Sequence, residues 1–147
     1  MQHAEFQVGV KALFVNSGGR VLLLRSGPEE SRYGDQGDFW DLPGGRIAPG
    51  EGIEETLERE LKEELGLEEN QFEIKSVFDA CISSFPPLEG KTYLLLLVYG
   101  CRLKKDDAPF VLSGESCEWK WVSPEEAAKL LEKKFGKRFC EKIASLL

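Results

Sequence analysis

One helical segment limits what this chain can be. Residues 53–65 place Ile53, Leu57, Leu61 and Leu65 at four-residue spacing, the pattern of an amphipathic helix with a single apolar stripe, and Gly66 follows as its terminator. At 100° per residue with Leu57 at zero, Ile53 falls at about −40°, Leu61 at about 40° and Leu65 at about 80°. Glu64 falls at about −20°, inside that stripe, Glu60 at about −60° on its margin and Glu63 at about −120°. A carboxylate under an apolar layer costs several kcal/mol or is forced to take up a proton. Three carboxylates within a turn also repel, by about 0.2–0.5 kcal/mol per exposed pair and more when desolvated. Helix propensity does not compensate, because Glu and Leu are nearly equal helix formers. One arginine, Arg59, cannot neutralise three carboxylates, so a divalent cation is the natural candidate. Oxygen-only ligands favour Mg²⁺, Mn²⁺ or Ca²⁺ over zinc.

Charge and composition narrow the alternatives. Residues 51–69 hold nine Glu against Arg59 and Lys62, which equals the whole net charge of −7. Such a chain does not bind a nucleic acid polymer through its phosphates, a task for Lys and Arg. Its 147 residues suffice for one domain, residues 1–147, with a hydrophobic core of its own. The longest apolar run, residues 93–99, is far short of the roughly 20 residues that a membrane helix needs. The polar, acidic opening does not read as a secretory segment, so a cytoplasmic location is expected. The four cysteines show no CxxC spacing and read as reduced thiols, and the single histidine, His3, is too remote for a zinc or Ser–His centre. Acid–base chemistry here must come from carboxylates or metal-bound water.

The remaining elements follow from periodicity and breakers. Residues 6–16 and 20–25 read as strands joined by Ser17-Gly18-Gly19, a predicted hairpin. Residues 39–42 read as a short strand stopped at Pro43-Gly44-Gly45, and residues 72–82, 92–103 and 118–122 as further strands. Ser123-Pro124-Glu125-Glu126 is a capping box opening a helix to about residue 134, with a last short helix after it. Strands, helix, strands, helix predict an α/β fold, a mixed β-sheet flanked by helices in an α/β/α sandwich.

Gly45, Glu51, Arg59-Glu60-Leu61, Glu63-Glu64 and Gly66-Leu67 stand at spacings that resemble the Nudix box, complete over residues 45–67. The lead-in Trp40-Asp41-Leu42-Pro43-Gly44 and the ending Trp121-Val122-Ser123-Pro124 also resemble the Nudix hydrolases. The resemblance implies metal-dependent hydrolysis of the pyrophosphate in a nucleoside diphosphate linked to another moiety, giving a mononucleotide and a phosphorylated product. It implies Mg²⁺ as cofactor, with Mn²⁺ able to substitute, a small-molecule nucleotide as substrate, and allows a homodimer. Glu60, Glu63 and Glu64 resemble the metal-binding glutamates, with the carbonyl of Gly44 and an added loop glutamate, Glu115 in preference to Glu118, as further ligands. Which glutamate acts as general base stays open. Arg59 resembles the arginine that orients a glutamate, and Glu51 the one that shapes the loop by ion pairing. Gly45 and Gly50 are expected to supply positive-φ turns.

Substrate contacts must come from outside the box. Arg25, Tyr33, Trp40 and Phe85 are candidates, since aromatic rings and Arg suit stacking and phosphate pairing. ADP-ribose-like compounds, nucleoside triphosphates and nucleotide sugars all remain, because Ser83 stands where ADP-ribose pyrophosphatases often carry proline. Two other classes fit these residues less well. A Nudix-fold binding module without turnover is opposed by the intact glutamates, and a Ca²⁺-binding acidic protein lacks the alternating Asp/Asn loop of an EF-hand.

Overall fold

The computed structural model describes residues 1–27, 38–113 and 116–146. Tyr33 and Glu115 lie outside the described residues. The described strands are β1 (Glu5–Phe14), β2 (Val21–Ser26), β3 (Phe39–Asp41), β4 (Gly44–Arg46), β5 (Phe72–Ile82), β6 (Thr92–Leu103) and β7 (Ser116–Val122). The helices are α1 (Ile53–Leu65), α2 (Pro124–Phe135) and α3 (Lys137–Ala144). They match the predicted α/β architecture.

The expected hairpin is not formed. β1 lies in a mixed sheet of order β4-β1-β6-β5, parallel to β6 and antiparallel to β4, whereas β2 lies in an antiparallel sheet of order β3-β2-β7. The turn between them joins the two sheets, and Val15–Val21 is a lone bridge. Nor does Pro43-Gly44-Gly45 simply stop a strand. Gly44–Arg46 turns back along β1, with the Ala12 N–H bonded to the Pro43 carbonyl at 2.8 Å.

Alternation along buried strands sorts side chains into two cores. Val10, Ala12, Phe14, Leu22 and Leu24 pack with Leu57, Leu61 and Leu65 of α1. Leu13, Val21, Leu23, Leu94, Leu96 and Val98 face the other way, against Leu131 and Phe135 of α2 and Phe139 and Ile143 of α3. The helices thus cover the strands from opposite sides. One expectation fails on α1: Ile53 is 39% exposed, and the fully buried Thr56 replaces it. Thr56 projects at about −100° on the same wheel, so Glu60 and Glu64 both fall between buried positions.

Candidate active site

The loop before α1 is held by Glu51. Its Oε1 accepts the Ala48 N–H at 2.9 Å, the Thr56 hydroxyl at 3.0 Å and Arg59 Nη2 at 2.9 Å, while Oε2 accepts Arg59 Nε at 2.5 Å. A forked guanidinium on a carboxylate is a charge-assisted, geometrically specific pair. Hydrogen bonds from Arg59, joined by those from Ala48 and Thr56, lower the Glu51 carboxyl to about 2. The same contacts raise Arg59 above its ordinary value.

Arg59 also reaches forward along the helix. Its Nη1 donates to Glu60 Oε1 at 2.8 Å and to Glu63 Oε2 at 3.2 Å. Arg59 therefore links the loop to two of the three box glutamates.

Two glycines let the backbone approach these carboxylates for different reasons. Gly44, not Gly45, has the positive φ (140°), as does Gly50 (84°). A Cβ on Gly44 would lie 2.0 Å from the Val10 carbonyl oxygen. Gly45 is needed for space, since a Cβ there would lie 2.2 Å from the Glu60 carboxyl carbon. The Gly44 N–H donates to Glu64 Oε1 at 2.8 Å. Burial pushes the Glu64 carboxyl up to about 7, against the nearby Lys11 charge and this hydrogen bond, which act downward. At the far end of α1, the Val111 and Ser113 N–H groups bond the Leu65 and Glu64 carbonyls at 2.9 and 3.3 Å, and the Ser113 hydroxyl bonds the Glu63 carbonyl.

Glu60, Glu63 and Glu64 line a cavity of about 200 Å³. Asp41, Lys11 and Lys134, which the sequence does not single out as site residues, line the same cavity. Asp41 Oδ2 accepts Lys134 Nζ at 2.6 Å and Lys11 Nζ at 3.1 Å, and Oδ1 accepts the Leu42 N–H at 2.8 Å. Burial works to raise the Asp41 carboxyl, but Lys11 and Lys134 outweigh it and hold it below its ordinary value. Lys134 is 1% exposed and lines the cavity from α2. A signal existed. Lys134 projects at about −60° from Leu131 on the helical wheel, beside the buried Ala127. Lys11 interrupts the wholly buried run from Gly9 to Phe14 in β1.

Of the four substrate candidates, Tyr33 lies outside the described residues, and the other three do not gather here. Among the described residues, Arg25 pairs with Asp38 at 3.3 Å and Glu118 at 3.0 Å, away from the cavity wall. Trp40 is half-buried under the Lys120 ammonium, 4.5 Å from its ring centroid. Phe85 is buried edge-on against Phe39, with ring centroids 4.9 Å apart, and it is Phe39 that lines the cavity.

Among the described residues, no three acidic, histidine or cysteine side chains converge closely enough to hold a metal ion as they stand. The donor chemistry nonetheless suits a hard divalent cation: oxygen atoms only, on one helix, with one carboxyl whose burial penalises its bare charge. Glu60 and Glu63 carry Arg59 between them.

The NUDIX domain family model matches residues 5–142. The nucleoside triphosphatase NudI of Escherichia coli O81 (strain ED1a) is 30% identical over 116 residues, which cover 76% of this chain and 79% of that protein. The 8-oxo-dGDP phosphatase NUDT18 of Mus musculus is 43% identical over 58 residues, 40% of this chain and 16% of its own. The crystal structure of the MutT protein from Methanosarcina mazei Go1 superimposes with a TM-score of 0.76 at 26% identity, covering 98% of this chain and 96% of that one. A C. elegans Ap4A hydrolase, at 22% identity and a TM-score of 0.71 over 97% and 96% of the two chains, shares the fold. A family match over nearly the whole length, on a helix whose glutamates face a cavity, makes this chain a member of the Nudix family, a pyrophosphohydrolase of nucleotide-linked phosphoric anhydrides.

Proposed function

We propose that the chain hydrolyses nucleoside triphosphates, with Mg²⁺ as cofactor and Mn²⁺ able to substitute. Water adds across the anhydride between the α- and β-phosphates, giving a nucleoside monophosphate and pyrophosphate. Glu60, Glu63 and Glu64 would hold the cation, with the Gly44 carbonyl and Glu115 as further ligands. When bound, the cation neutralises phosphate charge and lowers the pKa of the attacking water. The chain's own groups do the positioning. Glu51 fixes Arg59, Arg59 fixes Glu60 and Glu63, and the Gly44 N–H fixes Glu64. Such preorganised charge is what phosphoryl transfer requires in place of covalent catalysis.

The observation that carries this reading is Glu64, a carboxylate set into the buried face of α1 at the cavity wall. The triphosphate substrate is favoured by the nucleoside triphosphatase NudI, which aligns over three-quarters of the chain. A cavity of about 200 Å³ also suits one end of a nucleotide. Sites that enclose a drug-sized ligand run to about 300–1,000 Å³.

The test is a panel of nucleoside triphosphates, ADP-ribose and nucleotide sugars with Mg²⁺ or Mn²⁺, with products identified. Monophosphate and pyrophosphate from the triphosphates is the expected result. Faster cleavage of ADP-ribose or a nucleotide sugar would overturn the substrate, and tight binding without any product would overturn the reaction.

A further inference from the structure

Lys11 is 5% exposed and stands on β1 opposite Gly44 in the strand register. Its stem runs against the loop, so that a Cβ on Gly44 would lie 3.0 Å from Lys11 Cδ. Its Nζ donates to Asp41 Oδ2 at 3.1 Å and makes a longer contact, 3.4 Å, with the Gly44 carbonyl. Gly44 in turn gives its N–H to Glu64 at 2.8 Å, so one residue joins the ammonium to the buried glutamate. Lys11, Gly44 and Glu64 all line the cavity.

Pairing with Asp41 does not by itself explain a buried lysine here. Asp41 Oδ2 already accepts Lys134 at 2.6 Å, a shorter contact from a more deeply buried side chain, and one carboxylate does not neutralise two ammoniums. Nor does β1 need the Lys11 side chain to hold the loop, since Gly9–Lys11 pair with Gly44–Arg46 through the backbone. What Lys11 adds is positive charge beside Glu64, where it favours the ionised form of that carboxyl. Arg59 plays the matching part for Glu60 at 2.8 Å and Glu63 at 3.2 Å. All three glutamates of the box thus face a cation supplied by the chain itself. A divalent cation held by those glutamates meets the Lys11 charge as a like charge, whatever else the ammonium bonds, and buried charges are poorly screened by salt.

We infer that Lys11 is the resident counter-cation of Glu64, a positioning residue that steadies the metal-free site and holds its affinity for a divalent cation below what the glutamates alone would give. This rests on the metal-dependent reading of the site, and equilibrium binding of the metal alone tests it without reference to hydrolysis.

Mn²⁺ is titrated calorimetrically into the metal-free wild-type chain, Lys11→Met and Lys11→Gln. Lys142→Gln, which removes an exposed lysine paired with Asp79, controls for net charge. Both Lys11 variants should bind Mn²⁺ at least about tenfold more tightly than the wild-type chain, the scale of relieving one poorly screened like-charge contact. Lys142→Gln should stay within about twofold. Melting temperatures separate this role from a strand tie. The Lys11 variants should melt lower than the wild-type chain in EDTA, and saturating Mn²⁺ should raise them by more. Wild-type Mn²⁺ affinity with an equal loss of melting temperature in both conditions would overturn the inference, and so would weaker Mn²⁺ binding in the Lys11 variants. If one of these variants does not fold, the other decides; failure of both to fold would make Lys11 a structural residue and overturn it as well. Failure of the metal reading looks different: no form binds Mn²⁺, the wild-type chain included, and both assignments fall together.

Discussion

The helices α1 and α2 break their own amphipathic patterns in opposite ways. α1 puts a carboxylate, Glu64, into its buried face, and α2 puts an ammonium, Lys134, into its own. Both side chains line the same cavity. The first is one of three crowded glutamates beside a glycine-rich loop, and in the proposed function it helps to hold the cation. The second is held by Asp41, which also pairs with Lys11. An ionisable group in a buried stripe is costly wherever it occurs, and here both costs fall on the wall of one cavity.

The largest expected effect falls on α1. Glu64→Gln should lower kcat at least about 10²-fold for every substrate, the loss typical of removing one charge-stabilising group. Steady-state kinetics on three or more nucleotides checks it, and an undiminished kcat would remove Glu64 from the chemistry.

The glycines sharpen the picture of α1. Gly45→Ala places a methyl against the movable end of Glu60, so its damage should fall on activity, on the order of 10²-fold for a displaced charged group, with little change in melting temperature. Gly44→Ala meets backbone at a φ of 140°, so it should destabilise the fold by about 1–3 kcal/mol or more, as denaturant unfolding would show.

Arg59→Lys keeps the charge and loses the fork that joins Glu51, Glu60 and Glu63. Activity should fall about 10–100-fold, the usual cost of removing a group that orients ligands. Near-normal kcat in this variant would show that the loop holds its shape without the guanidinium.

The smallest effect is on stability against pH in metal-free protein. Glu64, raised to about 7 in the fold, stabilises the protein only when protonated, so stability should fall as pH rises from about 4.5 through 7. Glu51, lowered to about 2, and Asp41, held below its ordinary value, act in the other direction, and their contribution is lost as pH falls below about 4. Melting temperature in EDTA should therefore peak at mildly acidic pH, and Glu64→Gln should flatten only the alkaline side.

Much of this was legible in the chain. The bounds of α1, β5 and β6 follow from periodicity and breakers, because local pattern decides them. The place of Glu64 was legible too, since a helix fixes side-chain direction residue by residue. The pairing of β1 was not, because its partners, β4 and β6, lie far along the chain and the Ser17–Gly19 turn reads equally well as a hairpin. Gly44 and Gly45 look alike in sequence, and only the proximity of β1 and Glu60 gives them separate reasons. Ile53 departs from its stripe because it opens the first turn, before α1 settles against the sheet. Lys134 was missed although the wheel that exposes Glu64 also exposes it. The plainest signal of α2 is its capping box, and a single lysine near a helix end is usually solvated.

The most direct test of the account is calorimetric titration of Mn²⁺ and Mg²⁺ into the wild-type chain and into Glu60→Gln, Glu63→Gln and Glu64→Gln. The account predicts binding by the wild-type chain that weakens at least about tenfold in each variant. Unchanged metal affinity in all three, alongside undiminished hydrolysis, would contradict it.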